Sequence, residues 1–259
     1  MSKACKETFN EVTGTTNSDC IHEVIYPLIP KNSHVSQEQI RLKTNNRVVK
    51  FLYIAQGERF LSKGAMEVIN AFQMLIKEKL PVRLTLVTNI HKIHPSLLSR
   101  IRKDNNIQLY DFKFGYQEME QLYADHDVFL QPSSDDSFGL TVLEAMHAGK
   151  ALITSKLYAF PEMVEHGVNG FLVEPHYWFF TPENIPNPKV WNHRRKTIYS
   201  GQISSRLTEE LYTYMKRLVT DRDLLIEMSL ASYAKANSAP FSEEYIVSQW
   251  NKLINQMVV

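Results

Sequence analysis

The sequence predicts an α/β domain: a single Rossmann-like unit whose parallel sheet carries helices on both faces. Three observations support this. Short apolar runs alternate with segments of helical periodicity, the pattern of successive βαβ units. The runs are nearly continuous rather than alternating, as strands covered on both faces require. The chain has 259 residues, 44% of them hydrophobic, enough for one substantial core or two small ones.

Taken in order, residues 1–22 read as a helix followed by a linker. Strands are expected near 23–27, 48–55, 82–88, 107–111, 127–131, 150–154 and 170–173, with helices between them. After Gly64, the residues Ala65, Val68, Ile69, Phe72, Leu75 and Ile76 recur at helical spacing and form one apolar stripe. The run DVFLQ (127–131) is stopped by Pro132, and a polar loop, Ser133 to Ser137, follows. A helix then opens near Phe138 or Gly139, runs to about Ala148 and ends at Gly149. Its stripe of Val142, Ala145, Met146 and Gly149 faces the sheet and leaves Glu144 off it. Beyond Pro175 the segment 176–203 carries Pro182, Pro186 and Pro188 among many aromatics, which rules out a regular helix and reads as an inserted, partly buried loop. Residues 204–220, 223–236 and 242–257 read as C-terminal helices.

A formal net charge of +1 argues against nucleic acid as a partner. No apolar run reaches the length of a membrane span, and the start MSKACKETFNEV lacks the apolar core of a signal peptide, so no transmembrane segment and a cytoplasmic location are expected. Cys5 and Cys20 are too few for a zinc site or a disulfide framework and are expected as free thiols.

The segment 132–149, PSSDDSFGLTVLEAMHAG, joins a strand exit, an acidic loop and a helix start. Gly139 at the helix mouth permits close approach to the backbone, and the unsatisfied amides of a first helical turn suit a phosphate. Asp136 and Glu144, with seven residues between them, flank that anion site. Carboxylates bind hydroxyls rather than phosphates; the alternative is a solvated acidic loop and an exposed helix glutamate. A second segment, GERFLSKG (57–64), follows the strand ending YIA. Ligands in open α/β sheets collect at the carboxyl ends of strands, so this loop is expected to face the same crevice. By spacing alone, Arg59 and Lys63 are equally a surface loop with two cations. The segment is not a Walker loop, since Lys precedes Gly.

These segments resemble the C-terminal, nucleotide-sugar-binding domain of glycosyltransferase family 4, retaining enzymes of the GT-B fold. The segment 132–149 is similar to the family's P-S-x-x-E-G-F-G-L-x-x-x-E-A-M-A-x-G, with Asp136 at the first acidic position, Ser137 for a glycine and His147 for a small residue. VVKFLYIAQGERFLSKGAMEVINAFQML resembles the family's first strand, phosphate segment and helix. KALITSKLYAFPEMVEHGVNGFLVEP resembles the strand, P-E-x-V helix and G-x-x-G-F-L-V strand that follow. The resemblance covers most of residues 23–175. It implies residues 1–22 as a remnant helix and linker of an absent N-terminal GT-B domain, and 23–259 as the donor-binding domain with the insertion at about 176–203.

The resemblance further implies transfer of a hexosyl group from a UDP- or GDP-linked sugar to an acceptor hydroxyl, with an acceptor glycan or lipid-linked sugar, the nucleotide sugar and an N-terminal GT-B domain as partners. It implies no cofactor and no metal. Arg59 and Lys63 are then diphosphate clamps, Asp136 touches hydroxyls of the transferred sugar, and Glu144 accepts hydrogen bonds from the ribose. Phe138, Gly139 and Leu140 line the donor, and Phe112 and Lys113 are candidates for the base. Two alternatives stand beside a transferase: a non-catalytic nucleotide-sugar-binding module, and a GT-B-fold sugar-nucleotide epimerase, against which the E-x7-E-like segment argues.

Other residues read as structural. Asp125, His126 and Asp127 spell D-x-D but sit between a helix and a strand, where Asp caps and turns. No H-E-x-x-H or similar spacing occurs among nine histidines. His147 reads either as a partly exposed helix histidine or as a site residue. Pro161 and Glu162 read as the start of a short helix. Trp178, Trp191 and residues 193–196 read as the fastening of a long loop to its own domain, or as an interaction surface.

Overall fold

The computed structural model describes residues 2–14, 23–43 and 47–257. Six strands form one parallel sheet: β1 Val49–Ile54, β2 Val82–Thr88, β3 Ile107–Asp111, β4 Val128–Gln131, β5 Ala151–Ser155 and β6 Gly170–Val173. Their spatial order is β3-β2-β1-β4-β5-β6, every neighbouring pair parallel. The chain winds one way from β1 to β3 and the other way from β4 to β6. The order therefore reverses between β1 and β4, and the loops leaving these two strands open a crevice at the carboxyl edge.

Strand alternation feeds two cores. Phe51 and Tyr53 of β1, Leu84 and Leu86 of β2, and Leu130 of β4 point to one face. There they meet the apolar stripes of α3 (Ala65–Lys77) and α9 (Ser205–Thr220). Leu52, Ile54, Val87, Phe129 and Leu152 point to the other face, against α5 (Tyr116–Asp125), α6 (Leu140–His147) and α10 (Arg222–Ala236). Val142, Ala145 and Met146 are fully buried there, as the stripe predicts.

The remaining helices are α1 (Lys3–Thr13), α2 (Gln37–Leu42), α4 (Pro95–Arg102), the short α7 (Phe160–Met163) and α8 (Pro188–Trp191), and α11 (Glu243–Met257). The expected strand near 23–27 does not form. Pro27 and Pro30 remove ladder donors, and the segment runs as coil that buries Ile25 and Tyr26 in the α6-side core. Pro161 and Glu162 lie in the first turn of α7, as expected, and the Glu162 carboxylate also accepts the backbone N–H of Lys3 (3.0 Å) and of Ala4 (2.9 Å), capping α1. Cys5 is a free thiol, and Cys20 lies outside the described residues.

The segment 176–203 folds around its own small core of Leu157, Phe179, Phe180, Val190 and Ile198. The indole N–H of Trp191 donates to the Phe179 carbonyl (2.9 Å), and the Arg194 guanidinium lies over both rings.

Candidate functional site

The loop after β1 and the loop after β4 are zipped together. Ser134 N–H donates to the Ser62 carbonyl (2.8 Å), and a Cβ on Gly64 would stand 2.6 Å from the Pro132 carbonyl oxygen, so only glycine lets the two backbones approach. Both predicted cations lie at this junction, and each is held by a carboxylate. Arg59 meets Asp135 in a fork, with Nη2 2.8 Å from Oδ1 and Nε 3.3 Å from Oδ2. Lys63 Nζ stands 2.9 Å from Oδ2 of Asp136. Asp136 also accepts from the Gln131 amide (3.1 Å) and from the backbone N–H of Ser137 (3.0 Å). Far from being a solvated acidic loop, Asp135 and Asp136 are buried.

Gly139, in the left-handed region at φ 82°, turns the chain into α6 with no side chain capping the first turn. A Cβ there would approach Cε1 of Phe160 to 2.3 Å. Phe138 packs beside Tyr26, with ring centroids 6.1 Å apart. Glu144 lies one turn into α6 and accepts the Tyr123 hydroxyl at 2.7 Å. Burial raises the Glu144 carboxyl above the usual carboxylate range, and the Tyr123 hydrogen bond pulls it partly back.

A cleft of about 350 Å³ opens beside these groups. Its wall includes Phe112, Tyr116, Leu140, Thr141, Glu144 and His147. It thus brings Phe112, Leu140 and Glu144 together, while Arg59, Lys63 and Asp136 form the charged cluster at the neighbouring loop junction. Lys113 joins neither: its ammonium points outward and pairs with Asp111 at 3.0 Å. His147 is buried rather than partly exposed. Burial pushes its pKa down to about 4, so the ring is neutral at physiological pH.

Asp135, Gln131 and Tyr123 were missed by sequence reasoning. Gln131 left a signal, as the lone polar side chain closing an otherwise apolar run. Asp135 read as one more loop polar group. Tyr123 left none, because its contact with Glu144 spans two elements. The D-x-D residues are structural: Asp127 accepts Lys50 N–H (2.9 Å), and His126 bridges the Leu122 carbonyl (2.6 Å) and the Thr85 hydroxyl (2.7 Å). Among the described residues no group of three or more His, Cys, Asp or Glu is placed to hold a metal, and no helix is long and apolar enough to cross a membrane.

The sequence profile described as glycosyl transferases group 1 matches residues 49–178, which span β1 through the acidic loop to the start of the insertion. The chain belongs to that family. Among curated relatives, it is 26% identical over 163 residues to N-acetyl-alpha-D-glucosaminyl L-malate synthase of Bacillus anthracis, covering 59% of this chain and 40% of that protein. The chain thus spans less than half the length of that relative. Among solved structures, the C-terminal domain of a glycosyl transferase group 1 family protein (LpcC) from Francisella tularensis superposes with a TM-score of 0.54 at 19% identity, covering 83% of this chain and 95% of that one. Anabaena Alr3699/HepE, solved in complex with UDP-glucose, superposes with a TM-score of 0.61 at 22% identity, covering 90% of this chain and 57% of that one. The fold of this group 1 glycosyl transferase is therefore that of the family's C-terminal domain, the second half of a GT-B architecture.

Proposed function

We propose that this chain is the donor-binding domain of a retaining glycosyltransferase, holding a nucleoside diphosphate sugar for transfer of its hexosyl group to an acceptor hydroxyl. The observation that carries the reading is the adjacency of two unlike subsites at the sheet's switch point. One is a largely apolar cleft with the Tyr123-held Glu144 in its wall. The other is the cation pair Arg59 and Lys63 beside the open first turn of α6. A nucleoside fits the first and a diphosphate the second.

In this reading the Glu144 carboxylate accepts from the ribose hydroxyls, with Phe112 against the base. Arg59, Lys63 and the first-turn amides near Gly139 stabilise the leaving diphosphate as negative charge builds on it. Asp135 takes one edge of the Arg59 guanidinium and leaves Nη1 to meet phosphate oxygen. Asp136, held by Lys63 and Gln131, is positioned to accept from a sugar hydroxyl. Transfer requires the acceptor-bearing partner domain. The pairing of each cation with a carboxylate favours a second reading, a module that binds a sugar nucleotide without turning it over.

Competition calorimetry tests the assignment. Uridine and pyrophosphate are each expected to displace UDP. Glu144→Ala should weaken uridine and spare pyrophosphate, and Arg59→Ala should do the reverse. Equal effects of both variants on both fragments would overturn the two-subsite arrangement.

A further inference from the structure

A second cleft, of about 500 Å³, lies between α1 and the inserted segment, beyond the carboxyl end of β5. Three features mark it as built. First, its aromatic wall is rigid: Trp178 lines it beside Tyr158, whose ring stacks on Phe180 at 4.0 Å. Second, two side-chain-bearing residues hold left-handed backbone there, Tyr158 at φ 50° and Asn184 at φ 61°. A tyrosine in that region is costly and persists only where the surroundings over-determine it. Third, α1 is tied across the cleft. The Thr8 hydroxyl bonds the Asn184 carbonyl (2.6 Å) and meets the Tyr158 hydroxyl (2.9 Å), and the Asn184 amide donates to Glu7 (2.7 Å).

The charges of the lining select the ligand class. Lys3 and Lys156 are balanced by Glu7 and Glu162, so the cleft presents no net field to attract a polyanion or an anionic lipid surface. It offers an aromatic face surrounded by a carboxylate, an amide and hydroxyls. That combination suits a neutral ring with an apolar face and many hydroxyls. The cleft also communicates with the donor loop: the Tyr26 hydroxyl donates to Glu162, and the Tyr26 ring neighbours Phe138.

We propose that the cleft between α1 and the inserted segment is a saccharide-binding subsite, lined by Trp178, Tyr158, Glu7 and Asn184, that holds a neutral hexose unit. The saccharide site stands independently of the donor-domain reading above.

Saturation-transfer NMR on the full chain, with the methyl α-glycosides of glucose, mannose and N-acetylglucosamine and with or without UDP, tests it. At least one glycoside is expected to bind at millimolar affinity. Trp178→Ala, and separately Glu7→Ala on the exposed side of α1, should weaken it at least fivefold. UDP binding by the Trp178 and Glu7 variants confirms that they fold. No transfer to any of the three glycosides, or transfer undiminished in both variants, overturns the subsite. Glycoside binding by a chain that binds none of UDP, GDP and ADP would remove the donor reading and leave the saccharide site standing.

Discussion

Replacing Glu144 by Gln and by Ala separates what its carboxylate does for the fold from what it does for a ligand. Burial raises its pKa in the folded chain, so the folded state holds the proton more tightly than the unfolded state does. Stability from this group is therefore full below the unfolded carboxylate range and is lost as pH rises through the shifted folded value. At pH 7 the wild type carries the burden of a half-buried charge. Glu144→Gln keeps an acceptor for the Tyr123 hydroxyl and removes that charge, so its Tm at pH 7 should equal or exceed that of the wild type, with the difference vanishing near pH 4. Glu144→Ala leaves the buried Tyr123 hydroxyl with only the distant Thr141 carbonyl at 3.4 Å. An unsatisfied buried hydroxyl costs about 1–3 kcal/mol, and at about 2–4 °C per kcal/mol for a domain of this size the Tm should fall by about 2–12 °C. For ligand, losing a charged acceptor costs about 1.5–3 kcal/mol, so Ala should weaken UDP by roughly 10- to 150-fold, and Gln, which keeps a neutral acceptor, by less. Scanning fluorimetry across pH and calorimetry with UDP read both effects. Wild-type affinity in Glu144→Ala, or a Gln variant less stable than the Ala variant, would refute the reasoning.

Three further outcomes are expected. Lys63→Met strands the buried Asp136 carboxylate and should destabilise by about 3 kcal/mol in urea unfolding, whereas the double variant Lys63→Met/Asp136→Leu should recover most of that loss. Gly139→Ala combines a left-handed backbone with a 2.3 Å approach to Phe160, so a loss of about 2–4 kcal/mol is expected, with partial rescue by Phe160→Leu. Burial holds the pKa of His126 down to about 4. Its contribution is therefore present above the ordinary histidine value and is lost as pH falls from about 6.5 towards 4, worth roughly 3 kcal/mol in all. Denaturation midpoints measured from pH 7 to 4 should show this fall together with that of His147, and His126→Asn should remove only the His126 share.

The fold was legible in the sequence because buried parallel strands and amphipathic helices write their periods directly into it. Residues 48–55 and the stripe from Ala65 to Leu75 needed no tertiary information. The segment 23–27 misled because its apolar residues pack against α6 as coil, and an apolar run of that length looks the same in either state. At the site, the placement of Arg59, Lys63, Asp136 and Glu144 near the switch point followed from strand ends and loop lengths. Their partners did not. Asp135 holds Arg59 from 76 positions away and Tyr123 holds Glu144 from 21, and pairings between elements have no local period to betray them. The same limit explains Glu162, whose helix-start signal is sound and whose carboxylate also serves α1.

Calorimetric titration of the chain with UDP, GDP and ADP tests the central claim most directly. The account predicts saturable one-to-one binding of a nucleoside diphosphate, abolished when Arg59→Ala and Glu144→Ala are combined. A well-folded chain that binds none of the three at millimolar concentration would contradict it.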